Sequence, residues 1–413
     1  MSAPRHPRIL AVAEESRVTP IELFFDLVFV FSITQVTALI ANDLTAHGVI
    51  RGLLVLALLW WCWVGYAWLG NVVRADEGVG RVAMFSAMGA MFVFALSVPE
   101  AFVDLPGGLT GPVVVAVAYL SVRLLHLLIF WLASGGDYGL RGQLLRFAPS
   151  VLGSTALLLV ASQLHGRAQT WTWVAVVVVD YVGTILGGAS GWRLNSASHF
   201  AERHGLILIV ALGESIVAIG LGVATLPISA PIVLASLLGL ALAGAIWWAY
   251  FDVGALIAER ALRRAEGEQR ARLARDAYSY LHLPMVAGIV LLALGLKKVL
   301  AYVGGELGHD WTDRLAIAPL AAMYAGVALY LLTLVAFHYR VAHTLKRMRI
   351  ATAVLVILLA PAAAQLSALG ALAVVTAVMV GLIAAESIRF AEDRERIRHE
   401  EDDLNVGHDR ATD

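Results

Sequence analysis

Twelve apolar runs, each about 20 residues long, follow one another along this chain of 413 residues. Such a run is what an α-helix needs to cross the hydrocarbon core of a bilayer, which is about 30 Å thick, because a helix rises about 1.5 Å per residue. The composition agrees, since only 15% of the residues are charged, against about 25% in soluble domains. The predicted spans are 21–41, 49–70, 83–103, 112–132, 147–165, 171–190, 203–223, 231–252, 277–297, 315–338, 350–367 and 369–388.

The predicted fold is all-α, a polytopic helical membrane bundle of about 12 transmembrane helices in two six-helix halves. Glu22 opens the first span and Glu202 the seventh, and the pair Trp60-Trp61 in the second span has a counterpart in the eighth, Trp247-Trp248. Six spans is an even number, so the halves are expected to be parallel pseudo-repeats. The predicted parts are an N-terminal segment (1–19), a first half (20–192), a second half (193–390) with a charged loop (253–276), and a charged tail (391–413).

The basic residues predict the orientation of the chain. Of the 30 lysines and arginines, 24 lie in the N-terminus, the even-numbered connections and the C-terminus, 5 lie in the odd-numbered connections, and Arg123 lies within a span. Cytoplasmic connections of membrane proteins carry the excess of Lys and Arg. We therefore expect the N-terminal segment, the charged loop and the tail to be cytoplasmic. The net charge of −1 gives no reason to expect a nucleic-acid partner.

The segment HFAERHGLILIVALGESIVAIG (199–220) places a carboxylate deep in a predicted span. Glu214 follows Glu202 by 12 residues, which is about 18 Å along a helix and therefore near the middle of the bilayer. A charged group at that depth is costly and faces a protein interior or a wet cavity. The segment thus predicts a polar centre in the bundle.

Other ionisable residues are expected at the same depth as Glu214. Ionisable groups that are buried together predict a proton or substrate cavity, in which an arginine balances the charge of one carboxylate. The alternative is a static ion pair of Arg123 with Asp180 or Glu214 that fixes helix register. The predicted cavity residues are Arg123, His126, Asp180, Glu214 and Ser215.

A second polar group is expected near the cytoplasmic ends of the spans: Glu22, Asp26, His199, Glu202, His204, Asp252 and His282. Glu22 could simply complement the helix dipole. His199 and Glu202 have the i, i+3 spacing of metal ligands, but two ligands are too few for catalytic zinc. The favoured interpretation is that these residues form hydrogen bonds at helix interfaces. We expect no bound metal and no cofactor, and we assign no catalytic residue.

Four segments together resemble the bacterial low-temperature-requirement A (LtrA) family: VTPIELFFDLVFVFSITQVT (18–37), WWCWVGYAW (60–68), HFAERHGLILIVALGESIVAIG (199–220) and YSYLHLPMVAGI (278–289). The resemblance implies a multi-span protein of the bacterial inner membrane, in a family named for a growth defect in the cold, and it brings no established molecular activity. The positions that match are Glu22, Asp26, His199, Glu202, Gly213, Glu214 and His282.

Three functions fit these observations. The first is a secondary transporter or channel for a small solute or ion, which uses buried carboxylates as proton or cation sites. The second is an intramembrane enzyme that uses a buried carboxylic acid on a lipid or isoprenoid. The third is a non-catalytic factor of membrane adaptation and stress response. The expected partners are the lipid bilayer and a small solute, ion or lipid substrate, and the sequence leaves the oligomeric state open.

Overall fold

The computed structural model describes residues 16–391 except 136, 190 and 225, and every regular element in this part is a helix. Most of the predicted N-terminal segment and all but the first residue of the predicted tail lie outside the described residues. The predicted all-α, multi-span fold is confirmed. The helices are α1 (Pro20–Asn42), α2 (Ala46–Val72), α3 (Gly78–Ser97), α4 (Gly111–Ala133), α5 (Tyr138–Ala161), α6 (Gly166–Gly187), α7 (Ala197–Val223), α8 (Ala230–Phe251), α9 (Gly254–Arg264), α10 (Gly267–Leu273), α11 (His282–Val303), α12 (Ile317–Ala342), α13 (Arg347–Ala363) and α14 (Ala368–Arg389).

Within the described residues, 11 helical segments are long and apolar enough to cross a membrane. The prediction of about 12 spans corresponds to these and to α13, which has only 17 residues. The last two predicted spans are indeed separate helices, since α13 ends at Ala363 and α14 begins at Ala368 after its N-cap Ser367. The seventh helix begins six residues before the predicted start at 203, which has a consequence for the site.

Among the described residues, 16–214 and Leu262–Val290 form one compact unit. Within it α2 packs against α1, α4 and α6, and 67% of the residues in its most apolar stretch are buried, a larger share than in α1 or in any helix from α3 to α7. The first helix has two distinct faces, because it buries Glu22 and Asp26 but leaves Leu23, Phe24 and Leu27 exposed. Apolar side chains on the outer face of a bundle are expected where lipid is the solvent.

Ser215–Ala261 and the residues from Leu291 onward form the second unit. Here α8 packs on α14, and α13 packs on both α12 and α14. Arg349 of α13 holds Glu386 of α14 in a bidentate ion pair, with two N–O distances of 2.9 Å. The Trp pairs that suggested a duplication differ in environment, since Trp60 is fully buried and Trp247 is 42% exposed. The duplication with its division at residue 192 stays a prediction.

The predicted charged loop 253–276 is helical throughout most of its length, as α9, α10 and the start of a π-helix (Ala274–Tyr280). Its second part is not a solvated face, because Ala271, Leu273 and Ala274 are buried in the first unit. Small and charged side chains alternate in this segment, and the small ones let it pack closely. The high content of charged residues therefore hid the fact that one face of the segment is buried. A π-helix carries one extra residue per turn and occurs frequently at functional sites.

Candidate functional site

Four charged or ionisable side chains from two helices meet in the interior of the first unit. Glu22 and Asp26 are one turn apart on α1, and His199 and Arg203 are one turn apart on α7, so each helix offers two groups on one face. Arg203 lies 3.0 Å from Glu22 Oε1 and 2.9 Å from Asp26 Oδ1. His199 Nε2 lies 3.0 Å from Glu22 Oε2. We call these four residues the charge cluster; none of them is more than 2% exposed.

The helix α2 completes the charge cluster with neutral groups. Trp63 donates its indole N–H to Asp26 Oδ1 at 2.8 Å. Gly70 leaves room for Glu22, since a Cβ at that position would overlap with Glu22 Oε1. Both contacts come from one side of the helix, because residues seven apart lie roughly two turns along the same face.

A buried asparagine orients the histidine of the cluster. Asn71 accepts backbone N–H groups at its Oδ1 from Asn195 (2.7 Å) and Ser196 (3.2 Å), which fixes its amide. Its Nδ2 then lies 3.4 Å from His199 Nδ1. These partners assign the tautomer with a proton on Nε2, donated to Glu22, and with Nδ1 as the acceptor.

The charges of the cluster do not balance. Two carboxylates face one guanidinium, and a neutral His199 adds nothing, so the fully ionised cluster carries one negative charge in excess. Burying an uncompensated charge is costly. One proton, on the imidazole or on a carboxyl group, makes the cluster neutral. The arrangement is chemically suited to binding and releasing a single proton.

A second arrangement of charges lies between α4, α5 and α6. Arg123 of α4 approaches Asp180 of α6 at 3.5 Å, and both are buried. Asp180 is also bound by the hydroxyl of Tyr119 and, at 3.4 Å, by that of Ser154. Arg123 donates to Trp61 O at 3.5 Å. The carboxylate thus has three donors around it, whereas the guanidinium makes only long contacts.

An internal cavity of about 40 Å³ lies beside Arg123. We call it the arginine chamber and define it by six of its lining residues: Trp61, Trp68, Arg123, His126, Trp192 and Arg275. Arg275 comes from the π-helix and pairs with Asp276 at 2.8 Å. The space is large enough for roughly two or three water molecules, at 10–15 Å³ each. No carboxylate is among the residues that line it.

The helix α2 is the wall between the two arrangements. Trp61, Val64, Gly65 and Trp68 line the arginine chamber with the spacing i, i+3, i+4, i+7, which is one face of a helix. Trp63 and Gly70, which contact the charge cluster, lie roughly 180° around the helix from that face. A displacement or rotation of α2 would therefore change the contacts of both the charge cluster and the arginine chamber.

The comparisons with known proteins concern almost the whole of this framework. The family model described as "Bacterial low temperature requirement A protein (LtrA)" matches residues 17–384. The chain belongs to this family. An uncharacterized protein of Rhizobium meliloti (strain 1021) is 29% identical over 293 residues, which cover 68% of the chain and 69% of that relative. No solved structure matches the chain. The resemblance predicted from the sequence is thus confirmed, and the charge cluster and the arginine chamber both lie in the part of the chain that the LtrA model matches.

Of the predicted central residues in this LtrA-family chain, the structure brings Arg123 into contact with Asp180 and places His126 on the same cavity. Glu214 Oε2 accepts a hydrogen bond at 2.6 Å from the hydroxyl of Thr34 on α1. Ser215 is fully buried and begins the second unit. Asp180, Glu214 and Ser215 are not among the lining residues of the chamber.

The predicted cytoplasmic-side group is divided by the structure. Glu22, Asp26 and His199 meet in the charge cluster, whereas Glu202 is exposed and accepts the backbone N–H of Val18 at 3.2 Å. The i, i+3 pair His199 and Glu202 therefore occupies two different environments. Asp252 directly follows α8 in the second unit. Among the described residues, no group of three His, Cys, Asp or Glu side chains is placed to hold a metal ion.

The two remaining histidines of that group pack against aromatic rings. His204 lies edge-on to Trp63 with ring centroids 5.0 Å apart, and its centroid is 5.2 Å from that of His282. His204 donates from Nδ1 to Phe200 O at 2.9 Å, and His282 Nδ1 lies 3.2 Å from Ala277 O within the π-helix. These contacts make both imidazoles part of a packed aromatic core beside the charge cluster.

Sequence reasoning missed Arg203, which neutralises one of the two carboxylate charges of the cluster. The predicted seventh span began at 203, so this arginine was counted with the basic residues of a connection, whereas α7 begins at Ala197 and buries it fully. A signal was present, because Arg203 follows His199 by four residues just as Asp26 follows Glu22. Two ionisable pairs with helical spacing, one basic and one acidic, indicate facing helices.

Proposed function

We propose that this LtrA-family protein is a secondary transporter that moves a small solute or ion together with a proton. In this proposal the charge cluster is the proton site and the arginine chamber is the solute site. The observation that carries the proposal is the charge imbalance of the cluster, in which Glu22 and Asp26 share Arg203 with exposure of 2% or less. Ionisable groups buried in membrane spans mark ion pathways and proton relays.

The competing explanation is that the charge cluster is a static ion network. The unequal numbers of acidic and basic groups in the cluster argue against this explanation. A structural pair needs equal charges, and the pair of Arg349 with Glu386 in the second unit has them. The charge cluster instead requires one additional proton to be neutral. A single exchangeable proton is what a proton-coupled transporter needs at each turnover.

The second support is the position of α2 between the proton site and the cavity. One face of this helix contacts Glu22 and Asp26 through Gly70 and Trp63, and the other lines the chamber. A change of charge at the cluster alters the contacts of one face and is transmitted to the other by a rigid element. Coupled transport requires such a shared element, whose arrangement both sites bias.

We further propose that the protein resides in the bacterial inner membrane with both termini in the cytoplasm. The support is the excess of basic residues in the N-terminus, the even-numbered connections and the C-terminus, 23 against 5 once the buried Arg203 is left out. Single cysteines introduced in place of Ala265 and Leu345 should be shielded from an impermeant thiol reagent in intact cells, and one in place of Gly108 should be labelled. Labelling at 265 from outside would overturn the orientation.

The test of transport uses purified protein in liposomes that contain a pH-sensitive dye. Inward gradients of sodium chloride, sodium nitrate and glycine are tested one at a time, and the solute that is carried should acidify the lumen with wild-type protein. Asp26→Asn keeps an oxygen that accepts from Trp63 and Arg203 but removes the excess charge, so folding should persist and proton movement should fall at least tenfold. Glu202→Gln, an exposed neighbour of the cluster, is the control and should transport as the wild type does.

The same variant separates proton transport from a static network. If the cluster is only structural, Asp26→Asn either unfolds the protein or leaves proton movement unchanged. Loss of proton movement in a variant whose thermal unfolding temperature equals that of the wild type supports the proposal.

A further inference from the structure

A groove on the outer surface of the first unit lies between α4 and α5. We call it the lateral groove and define it by six of its lining residues: Leu124, Leu125, Leu128, Trp131, Leu144 and Leu145. Its volume of about 660 Å³ is well above the roughly 150 Å³ of a cavity that holds benzene. Ser121 at its far end donates its hydroxyl to Val117 O at 2.8 Å, so the wall of the groove is apolar.

The lateral groove has the length of one leaflet of a bilayer. Along α4 it extends from Ser121 to Trp131, which is a rise of about 15 Å and half of a hydrocarbon core about 30 Å thick. Trp131 and Tyr138, which are 41% and 87% exposed, lie at the end where α4 leads into α5. Aromatic residues of this kind collect where the hydrocarbon core meets the head groups. The groove therefore runs from the head-group level to the bilayer centre, as one acyl chain of a lipid does.

A positive charge lies at the head-group end of the lateral groove. Arg141 precedes Leu144 and Leu145 by three and four residues, so it continues the face of α5 that lines the groove. Its guanidinium lies over the ring of Trp131, 5.2 Å from the centroid, and its Nε donates to Ser134 Oγ at 2.9 Å. Neither of these partners carries a charge.

The neighbouring carboxylate does not balance this charge. Asp137 pairs with Arg193 at 2.8 Å and accepts the backbone N–H of Gly139 at the start of α5. Within the described part of the chain, no carboxylate forms an ion pair with Arg141. A guanidinium binds the oxygens of a phosphate through paired N–H donors. An apolar groove that ends at such a guanidinium matches a molecule with an apolar chain and an anionic head.

We propose that the lateral groove binds a phospholipid with an anionic head group, such as phosphatidylglycerol. One acyl chain lies in the groove, and the phosphate lies at Arg141. Apolar surface attracts the chains of any lipid, whereas the guanidinium favours a head group with a net negative charge. By the proposed orientation the connection between α4 and α5 is cytoplasmic, so the lipid belongs to the cytoplasmic leaflet. The site does not depend on proton transport.

Native mass spectrometry of the delipidated full-length protein tests the preference for an anionic head group. Phosphatidylglycerol and phosphatidylcholine with identical chains are titrated separately, and the dissociation constant of the first bound lipid is measured. The wild type should bind phosphatidylglycerol at least fivefold more tightly. Arg141→Gln should reduce this preference to less than twofold, and Arg141→Lys, which keeps the charge, should retain most of it. Arg74→Gln is the matched control, because Arg74 pairs with Glu77 at 2.7 Å, and should bind both lipids as the wild type does.

A second set of variants tests the position of the acyl chain. Leu128→Trp and Leu145→Trp place a large ring in the groove and should each weaken the binding of both lipids at least threefold. The two leucines are 54% and 62% exposed, so the larger side chains do not enter the core. Val182→Trp is the control, since Val182 is 41% exposed and lies as far before the end of α6 at Gly187 as Leu128 lies before the end of α4 at Ala133.

Equal affinities of the wild type for the two lipids would overturn the proposal. The same holds if Arg141→Gln, at wild-type thermal stability, keeps the preference, or if both tryptophan variants bind as the wild type does. Inorganic phosphate at constant ionic strength should not displace the lipid, because the acyl chain contributes to binding, and displacement would identify a site for a free anion instead. Dimers in the same spectra that Leu128→Trp removes would identify a second copy of the chain as the occupant. Asp26→Asn, which tests proton transport, should bind phosphatidylglycerol as the wild type does, so each proposal can fail without the other.

Discussion

The charge cluster and the arginine chamber lie on opposite faces of α2, and they differ in how tightly their charges are held. Arg203 contacts its carboxylates at 2.9 and 3.0 Å, whereas Arg123 stands 3.5 Å from Asp180 beside a void. Short contacts hold the carboxylates of the charge cluster close to Arg203. Long contacts beside a cavity leave space in which Arg123 can shift. Burial alone does not distinguish these two kinds of site, but contact length and free volume do.

The largest effect should follow from removing the arginine of the tight site. Arg203→Met leaves Glu22 and Asp26 buried without a guanidinium, which should cost about 3–5 kcal/mol of unfolding free energy. Membrane abundance and thermal unfolding in detergent measure the loss. The control is Arg193→Met, because the pair of Arg193 with Asp137 is exposed and should contribute less than about 1 kcal/mol.

The matching change in the loose site should cost less. After Arg123→Met, Asp180 keeps the hydroxyl donors of Tyr119 and Ser154, and the lost contact is long. We expect a destabilisation of about 2 kcal/mol, in the range of one hydrogen bond to a charged group. Equal losses of unfolding free energy for Arg123→Met and Arg203→Met in the same assay would contradict the distinction between the tight and the loose site.

Two glycines of α2 allow the same comparison without changing a charge. A Cβ at Gly70 would overlap with Glu22, which cannot retreat from Arg203 and His199. Gly70→Ala should therefore cost about 1–3 kcal/mol, as overpacking does. A Cβ at Gly65 would lie 3.2 Å from the ring of His126, which borders the cavity and can shift, so Gly65→Ala should cost less. Gly89→Ala, with no atom within 4 Å of its added Cβ, is the control in thermal unfolding.

The smallest effects come from the two indoles. Trp63→Phe removes an N–H bond to a buried carboxylate and should cost about 1.5 kcal/mol. Trp61→Phe removes an N–H that has no acceptor among the described residues and should cost less than Trp63→Phe, since the loss of ring volume is common to both variants. A Trp61→Phe protein less stable than Trp63→Phe would contradict the assignment of the loose and the tight site.

The sequence was sufficient to predict the helices and part of the site. Apolar runs of about 20 residues allow hardly any structure but spanning helices, so even the closely spaced α13 and α14 could be separated at residues 364–367. Depth along the spans predicted Arg123 and Asp180 at one level, and the structure places them 3.5 Å apart. These inferences needed only the length and rise of a helix.

The rest depended on information that hydropathy does not carry. The boundary of an apolar run marks a change in composition and does not mark the first residue of a helix. The helix α7 therefore begins six residues before the predicted span, and Arg203 lies well inside it. The helical face that points inward was also unknown, which is why exposed Glu202 was selected instead of its buried neighbour. Arg275 lay in a charged segment that resembles a solvated helix, and only the tertiary packing of that segment brings it to the chamber.

The π-helix at Ala274–Tyr280 makes the number of residues in this segment important for the shape of the arginine chamber. Ser279 accepts the indole N–H of Trp60 at its carbonyl (2.8 Å) and that of Trp68 at its hydroxyl (3.0 Å). Deleting one residue would restore a regular α-helix and shift the residues of this turn by one position relative to the flanking helices, which moves Ser279 away from one or both indoles. A relative whose alignment shows a gap between Arg275 and His282 should therefore have a chamber of different shape, even where every lining residue is identical.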